Sequence, residues 1–217
     1  MLTPLSILGG GFVLPAMDGH FNFFFNLIKS RTNNNLAIFF PTYYLSPTVR
    51  YPTQLIQCVE ALRYILEERC HRPSHVIIGG DSAGGNIVAA VLSHLAHPHE
   101  SIEKLSINEP LAAAILMCPW TAIDPETANF NGYYGADIET PGSLTSLANA
   151  YMGNARPDYY TDANLAPPEW FSTYPVDKIQ VLAGGNELLL PNIIDLVNTL
   201  RVSLHLVIRI DKQNIDQ

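Results

Sequence analysis

The sequence predicts an α/β fold, in which a mostly parallel sheet carries helices on both faces. Short apolar runs rich in β-branched residues alternate with longer segments whose apolar residues recur at helical spacing. Strands that are apolar along most of their length and are separated by helices are typical of parallel sheets covered on both faces. The 217 residues are 47% hydrophobic and 15% charged, which predicts one folded domain spanning residues 1–217.

Six strands and four helices follow from the apolar patterns. The strands are Leu5–Leu8, Leu36–Phe40, His75–Gly79, Leu111–Cys118, Ile179–Ala183 and Ser203–Ile210, and the helices span about residues 17–30, 53–70, 83–96 and 191–201. Residues 121–175 interrupt this alternation with a segment rich in Asn, Gly, Pro, Tyr and Asp, and only Ser143–Met152 has a short helical pattern. A long insertion without a strand favours a lid or binding segment, so we expect a cap here.

Composition and charge exclude several classes of partner. The net charge of −8, with only 12 Lys and Arg and no basic cluster, argues against a nucleic-acid partner. No apolar run is long enough to span a membrane, and the first residues do not resemble a secretory signal. Three cysteines without a paired spacing predict buried free thiols in a reducing compartment, which favours the cytoplasm. No metal and no cofactor is predicted.

The most specific motif in the chain is a glycine-flanked serine. The segment Gly80-Asp81-Ser82-Ala83-Gly84-Gly85 follows the predicted strand His75–Gly79 and precedes a helical run. This is the G-x-S-x-G pattern in its strand–turn–helix context, which presents a nucleophile at a sharp turn. The alternative is that Ser82 only caps the helix. A cap does not require glycine at both Gly80 and Gly84, so the pattern favours a nucleophile.

Other stretches agree in order and spacing with one known family. They are Gly9-Gly10-Gly11-Phe12, Tyr44-Leu45-Ser46-Pro47 with Tyr51-Pro52, Pro167-Pro168-Glu169-Trp170, and Gly184-Gly185-Asn186-Glu187-Leu188-Leu189. With the serine motif, they resemble the hormone-sensitive-lipase-like branch of the α/β-hydrolases, a family of serine esterases. The glutamate in the last stretch is similar to that of fungal-type members. Relative to the family pattern, the chain resembles a form truncated at both ends.

The resemblance implies a role for each matching residue. Ser82 would be the nucleophile, and Glu187 would be the acid that orients the catalytic histidine. The family's oxyanion hole is built from backbone N–H groups, which correspond here to Gly9, Gly10, Gly11 and Ala83. One departure is Leu8, which stands where the family carries a histidine before its glycines.

The catalytic histidine is missing from its expected place. In this fold the histidine follows the acid by one helix and one strand, or about 25–30 residues. His205 is the only histidine after Glu187, and it comes too early, inside the predicted last strand, so we interpret it as structural. His20 lies near the glycine loop, but nothing in the sequence marks it as a base. His94, His97 and His99 suggest a metal site weakly and a solvated helix end more strongly.

The sequence therefore predicts a carboxylic-ester hydrolase whose turnover is impaired by the absent histidine. The alternatives are a non-catalytic ligand-binding pseudoenzyme on the same fold, and a fragment that does not fold stably. We expect the partner to be a small hydrophobic ester or ligand, because the predicted cap is rich in aromatic residues. These are Tyr133, Tyr134, Tyr151, Tyr159, Tyr160 and Trp170.

Overall fold

A computed structural model gives the fold of this chain. It describes residues 3–30, 36–131 and 137–203, and the backbone of 209–213. Within these ranges five parallel strands form one sheet in the order β1-β2-β3-β4-β5. The strands are β1 (Thr3–Ile7), β2 (Val76–Asp81), β3 (Ala113–Met117), β4 (Ile179–Gly184) and β5 (Arg209–Gln213). The predicted α/β class is confirmed.

Six α-helices flank or follow the strands in the described ranges. They are α1 (Asp18–Lys29), α2 (Thr53–Arg63), α3 (Ala83–Ala96), α4 (Pro141–Met152), α5 (Pro168–Phe171) and α6 (Leu190–Ser203). A π-helical turn, Tyr64–Glu68, extends α2. Helix α3 is buried along most of its length and packs against the first three strands, so it is the central helix of the core. No helix in the described ranges is long and apolar enough to cross a membrane.

Two predicted strands differ from the structure. Leu36–Phe40 is not a strand, because it pairs with β1 only through an isolated bridge at Phe39. The last strand was predicted at Ser203–Ile210, but α6 continues to Ser203, whose hydroxyl donates a hydrogen bond to the Thr199 carbonyl one turn earlier. The observed strand β5 begins at Arg209. The predicted structural role of His205 falls outside the described residues.

The sheet is covered more completely on one face than on the other. Along β2, β3 and β4, residues that are fully buried alternate with residues that are half-buried. The buried face includes Ile78, Leu116 and Val181.

One cysteine prediction is wrong: Cys70 is exposed, because it lies beyond the end of the helix with a positive φ of 54°.

The insertion at 121–175 packs partly onto the glycine loop. It contains no strand among its described residues, and its main helix, α4, begins at a capping box formed by Thr140 and Ser143. Tyr151 of α4 stacks on Phe12 with ring centroids 3.6 Å apart. Leu147 of the same helix lies against Gly11. The insertion therefore contributes walls to the region around the loop, and its role as a cap stays a prediction.

The tightest packing of the fold joins β1, β2 and α3. A Cβ atom placed on Gly84 would collide with the Ile7 carbonyl, and one on Gly80 would lie 2.5 Å from the Gly84 backbone. Both positions require glycine because backbone occupies the space that a side chain would need. Helix α3 can consequently begin directly against the end of β1.

We expect Gly84→Ala to destabilise the protein by about 3 kcal/mol or more, since the new methyl meets backbone that cannot move aside. Gly142→Ala is the matched control. Its Cβ would find only the Thr140 hydroxyl, 3.9 Å away, so replacing this helical glycine should be neutral or stabilise by up to about 1 kcal/mol. Urea denaturation of both variants tests the contrast. Equal stabilities would contradict this account of the β1–α3 contact.

Candidate active site

Ser82 occupies a strained turn between β2 and α3. Its φ of 51° and ψ of −118° lie in a region that non-glycine residues rarely adopt. Ser82 stands at the N-cap position of α3, yet its side chain makes no capping hydrogen bond. Its backbone is fixed instead, because its N–H donates to the Met117 carbonyl and its carbonyl accepts from the Trp120 N–H. A strained, half-buried serine without a capping role has the geometry of a nucleophile elbow.

The glycine loop after β1 presents backbone N–H groups beside this turn. Gly10 and Gly11 have φ values of 121° and 59°, which a residue with a side chain adopts only at a cost. Their N–H groups and that of Ala83 have no acceptor among the described residues. Ala83 is the first residue of α3, where N–H groups lack an intrahelical acceptor. Unpaired donors of this kind can stabilise an oxyanion.

Both ends of the loop are anchored. At the start, the Tyr43 hydroxyl donates a 2.8 Å hydrogen bond to the Leu8 carbonyl. At the end, the Ser46 N–H donates to the Phe12 carbonyl at 2.9 Å, and the Phe12 ring is fully buried. The backbone at Leu8 is therefore held in place by Tyr43, although no histidine stands at this position.

Asp81 connects the loop to the elbow. Its Oδ1 accepts a hydrogen bond from the Gly9 N–H at 3.0 Å, and its Oδ2 lies 3.3 Å from Nε2 of His20. The Met17 N–H donates to Nδ1 of His20, so the ring proton belongs on Nε2 and points at Asp81. This arrangement gives His20 a structural partner and leaves it without a free nitrogen to accept a proton from Ser82.

Glu187 lies in the loop after β4, at the same edge of the sheet as Ser82. The Cys118 N–H bonds to the Leu182 carbonyl, which aligns the end of β4 with the strand beside the elbow. One carboxylate oxygen of Glu187, Oε2, accepts the Gly184 N–H at 2.8 Å. The other, Oε1, is buried and has no hydrogen-bond partner among the described residues.

Burial raises the pKa values of two neighbouring side chains, Glu187 and Cys118. Burial raises the pKa of Glu187 above its ordinary value, although hydrogen bonds from the Cys118 thiol and the Gly184 amide favour the charged form. Burial, and then the neighbouring Glu187 carboxylate, raises the pKa of the Cys118 thiol to about 12. Cys118 is therefore a neutral thiol at physiological pH and is not an alternative nucleophile. The unpaired Oε1 is the position from which an acid would orient a histidine.

Among the described residues no histidine side chain bonds to Ser82 or Glu187, and five of the histidines, His20 included, bond to other residues. His71 bonds to Thr3, His94 to the Glu103 carbonyl, His97 to the Trp170 carbonyl and His99 to Tyr51. Among the described residues no cluster of histidine, cysteine or acidic side chains could hold a metal ion. Strand β5 ends level with Gly184, and the sequence after its last residue, Gln213, contains no histidine.

The aromatic residues of the insertion mostly pack on one another. Tyr151 is fully buried, and Tyr159 and Tyr160 both contact the ring of Trp170, which stacks on His97. The rings of Tyr159, Tyr160 and Trp170 therefore pack against one another. The remaining two predicted contributors, Tyr133 and Tyr134, lie outside the described residues.

Sequence patterns missed the residues that support the glycine loop. Asp81 and His20 are 61 positions apart, and Tyr43 and Leu8 are 35 apart, so no local spacing connects them. The signals were Asp81, a carboxylate inside the elbow next to Ser82, and His20, whose position in the sequence lies near the glycine loop.

A family model described as alpha/beta hydrolase fold matches residues 5–207. The chain belongs to the α/β-hydrolase family. Among solved structures, the esterase EstE5 soaked with ethyl alcohol superposes with a TM-score of 0.79 at 24% identity. It covers 97% of this chain, which in turn covers 66% of EstE5. An esterase of the bacterial hormone-sensitive lipase family gives a TM-score of 0.80 at 24% identity, with the same coverage.

Curated relatives of this α/β-hydrolase agree with the motif-based prediction. The putative acetyl-hydrolase LipR of Mycobacterium tuberculosis is 25% identical over 191 residues, which are 85% of this chain and 58% of LipR. Steryl acetyl hydrolase 1 of Saccharomyces cerevisiae is 29% identical over 116 residues, or 52% of this chain and 25% of that protein. The chain thus spans between a quarter and somewhat over half of these relatives. The predicted resemblance to hormone-sensitive-lipase-like esterases is confirmed.

The raised pKa of Glu187 predicts a pH-dependent effect of Glu187→Gln in this α/β-hydrolase. A raised pKa means that protonation favours the folded state at acid pH, and that this stabilisation is lost as the pH rises through the folded-state pKa. At pH 7.5 the buried charge is a cost that glutamine removes. We expect the melting temperature of Glu187→Gln to exceed that of the parent by about 2–4 °C at pH 7.5.

This difference should shrink as the pH approaches 4, where the parent carboxyl is protonated. Differential scanning calorimetry across this pH range measures it. Glu126→Gln serves as the control, because Glu126 is exposed and its neutralisation should change little. A Glu187→Gln variant less stable than the parent at pH 7.5 would contradict the assigned burial cost.

Proposed function

We propose that this chain is the core of a carboxylic-ester hydrolase in which Ser82 attacks the acyl carbon. The observation that carries the proposal is the strained backbone of Ser82 at the start of α3, with a side chain that does not cap the helix. In the first step the Ser82 oxygen bonds to the acyl carbon and the alcohol leaves with a proton. In the second step water attacks the acyl-enzyme, releases the acid and restores the serine.

The proposed oxyanion hole consists of the N–H groups of Gly10, Gly11 and Ala83. Gly9, predicted as a fourth contributor, donates its N–H to Asp81, so its role becomes anchoring the loop. Preorganised donors are effective because they need not reorient as charge develops in the transition state. Removing one such donor costs roughly 100- to 1,000-fold in other serine hydrolases.

We propose that Glu187 orients the general base through its unpaired Oε1. The described residues supply no histidine at that position, so the base has to come from outside them. Without a base, the oxyanion hole and substrate binding still give a residual acceleration of about 1,000- to 10,000-fold over water. We therefore expect slow turnover from the chain of 217 residues.

The names of two relatives, an acetyl-hydrolase and a steryl acetyl hydrolase, support esters of short acids as substrates. We infer a small hydrophobic ester as the substrate. Three cysteines without a disulfide agree with a cytoplasmic location, which stays a prediction.

A second candidate function is ligand binding without catalysis. The observation that favours it is the absence of any histidine contact to Ser82 or Glu187 among the described residues. The two candidates differ in one respect, since an esterase needs the Ser82 hydroxyl and a protein that only binds a ligand does not.

Chemical rescue separates the two candidates. We expect the parent chain with millimolar imidazole to hydrolyse p-nitrophenyl acetate at least ten times faster than imidazole without protein. The reason is that free imidazole can occupy the position of the missing base. Ser82→Ala should show no acceleration. The release of p-nitrophenol is followed by absorbance.

The control is Ser172→Ala, since Ser172 is exposed and bonds only to the Glu169 carbonyl. It should behave as the parent does. If the parent and Ser82→Ala respond equally to imidazole, the esterase proposal is wrong and the ligand-binding candidate remains.

A further inference from the structure

One hydrogen bond joins the insertion to the loop that carries Glu187. The Leu188 N–H donates to Oδ2 of Asp137 at 2.6 Å, although the two residues are 51 positions apart in the chain. Asp137 is half-buried, and a carboxylate that accepts a backbone N–H forms one of the stronger kinds of hydrogen bond in proteins. The bond therefore fixes the backbone directly after the proposed acid from a different part of the chain.

Asp137 is itself fixed at the start of α4. Its Oδ1 accepts the Glu139 N–H at 3.2 Å, and the capping box of α4 begins at the next residue, Thr140. The last turn of the same helix carries Tyr151, which stacks on Phe12 of the glycine loop. Helix α4 therefore meets the glycine loop near its end and, through Asp137, the acid loop at its start.

The bonded N–H belongs to the peptide unit that joins Glu187 to Leu188. The carbonyl of that peptide unit accepts the Leu190 N–H at 3.2 Å, so both of its polar groups are bonded. The side chain of Glu187 is held separately, because its Oε2 accepts the Gly184 N–H at 2.8 Å. With the backbone and one carboxylate oxygen fixed, the direction of Oε1 is fixed as well. Misplacing a catalytic group by about 1 Å costs roughly 100-fold in rate.

Asp137 also acts on Glu187 through its charge. Burial is the largest cause of the raised pKa of Glu187, and the negative charge of Asp137 raises it further. The thiol of Cys118, just after β3, and the Gly184 amide act in the opposite direction. A second carboxylate beside a buried acid opposes ionisation of that acid, so charge alone gives no reason for Asp137 to lie here. The hydrogen bond to Leu188 supplies that reason.

We propose that Asp137 is a positioning residue for Glu187, and that it fixes the peptide unit after the acid so that Oε1 stays directed at the general base. The proposal rests on the esterase function proposed above. It predicts that the acceptor atom of Asp137 matters more than the charge. Asp137→Ala removes both, whereas the amide oxygen of Asp137→Asn can still accept the Leu188 N–H.

Imidazole rescue with p-nitrophenyl acetate tests this role. The quantity measured is the imidazole concentration that gives half-maximal acceleration in the parent and in each variant. Asp124→Ala is the matched control, because Asp124 lies in the same insertion and its Oδ1 accepts a local N–H, that of Glu126, at 3.0 Å. We expect this concentration to rise by roughly tenfold or more in Asp137→Ala, since Oε1 is no longer aimed. Asp137→Asn and Asp124→Ala should stay within about twofold of the parent.

Two NMR measurements are independent of turnover. Hydrogen exchange at the Leu188 amide should accelerate in Asp137→Ala and stay slow in Asp137→Asn, because only the first variant lacks an acceptor. The pKa of the Glu187 carboxyl should fall in both variants, because both remove a like charge. A residue that only stabilised the fold would change neither the Leu188 amide selectively nor the response to imidazole.

Equal imidazole dependence in the parent and Asp137→Ala would overturn the positioning role and leave the esterase function intact. Impairment of Asp137→Asn to the level of Asp137→Ala would also overturn it, since the acceptor atom would then not be the cause. If imidazole does not accelerate the parent, the esterase function fails. The Leu188 exchange rates then decide whether Asp137 positions the acid: a difference between the two variants supports this role, and no difference overturns it.

Discussion

The candidate site depends on the contact between the end of β1 and the start of α3. Because Gly84 lies directly against the Ile7 carbonyl, the helix begins where β1 ends, and no side chain separates them. The glycine loop starts immediately after Ile7, so the same contact brings its N–H groups beside Ser82. The strained backbone of Ser82 persists because β2, β3 and α3 fix the residues on both sides of it. The contact between β1 and α3 therefore both packs the core and positions the candidate site.

Asp81 adds a polar link to this packing. The carboxylate holds the loop through the Gly9 N–H and is itself oriented by His20, so the first helix after the loop also supports the elbow. On the other side of the sheet edge, Glu187 is placed by the Gly184 N–H and keeps one oxygen unpaired. An unpaired buried oxygen costs stability, which a folded protein tolerates where function requires it.

The site was more predictable from the sequence than its supports were. Local rules predict the turn at Ser82 and the glycine loop, because a sharp turn and a close backbone approach leave a glycine pattern in a few adjacent residues. The bond between His20 and Asp81 joins distant residues and leaves no such pattern. The strand predicted at Leu36–Phe40 was wrong because β-branched composition does not determine whether a segment finds a full ladder partner. The boundary at Ser203 was wrong because its hydroxyl bonds to the Thr199 carbonyl one helical turn earlier, a contact that the apolar pattern does not reveal.

The central claim is that Ser82 is a preorganised nucleophile rather than a helix cap. Its most direct test is the reaction of the chain with a fluorophosphonate in the presence of imidazole, followed by mass spectrometry of the intact protein and its peptides. The account predicts one adduct per chain, located on Ser82. No adduct, or adducts spread over several serines such as Ser82 and Ser172, would contradict it.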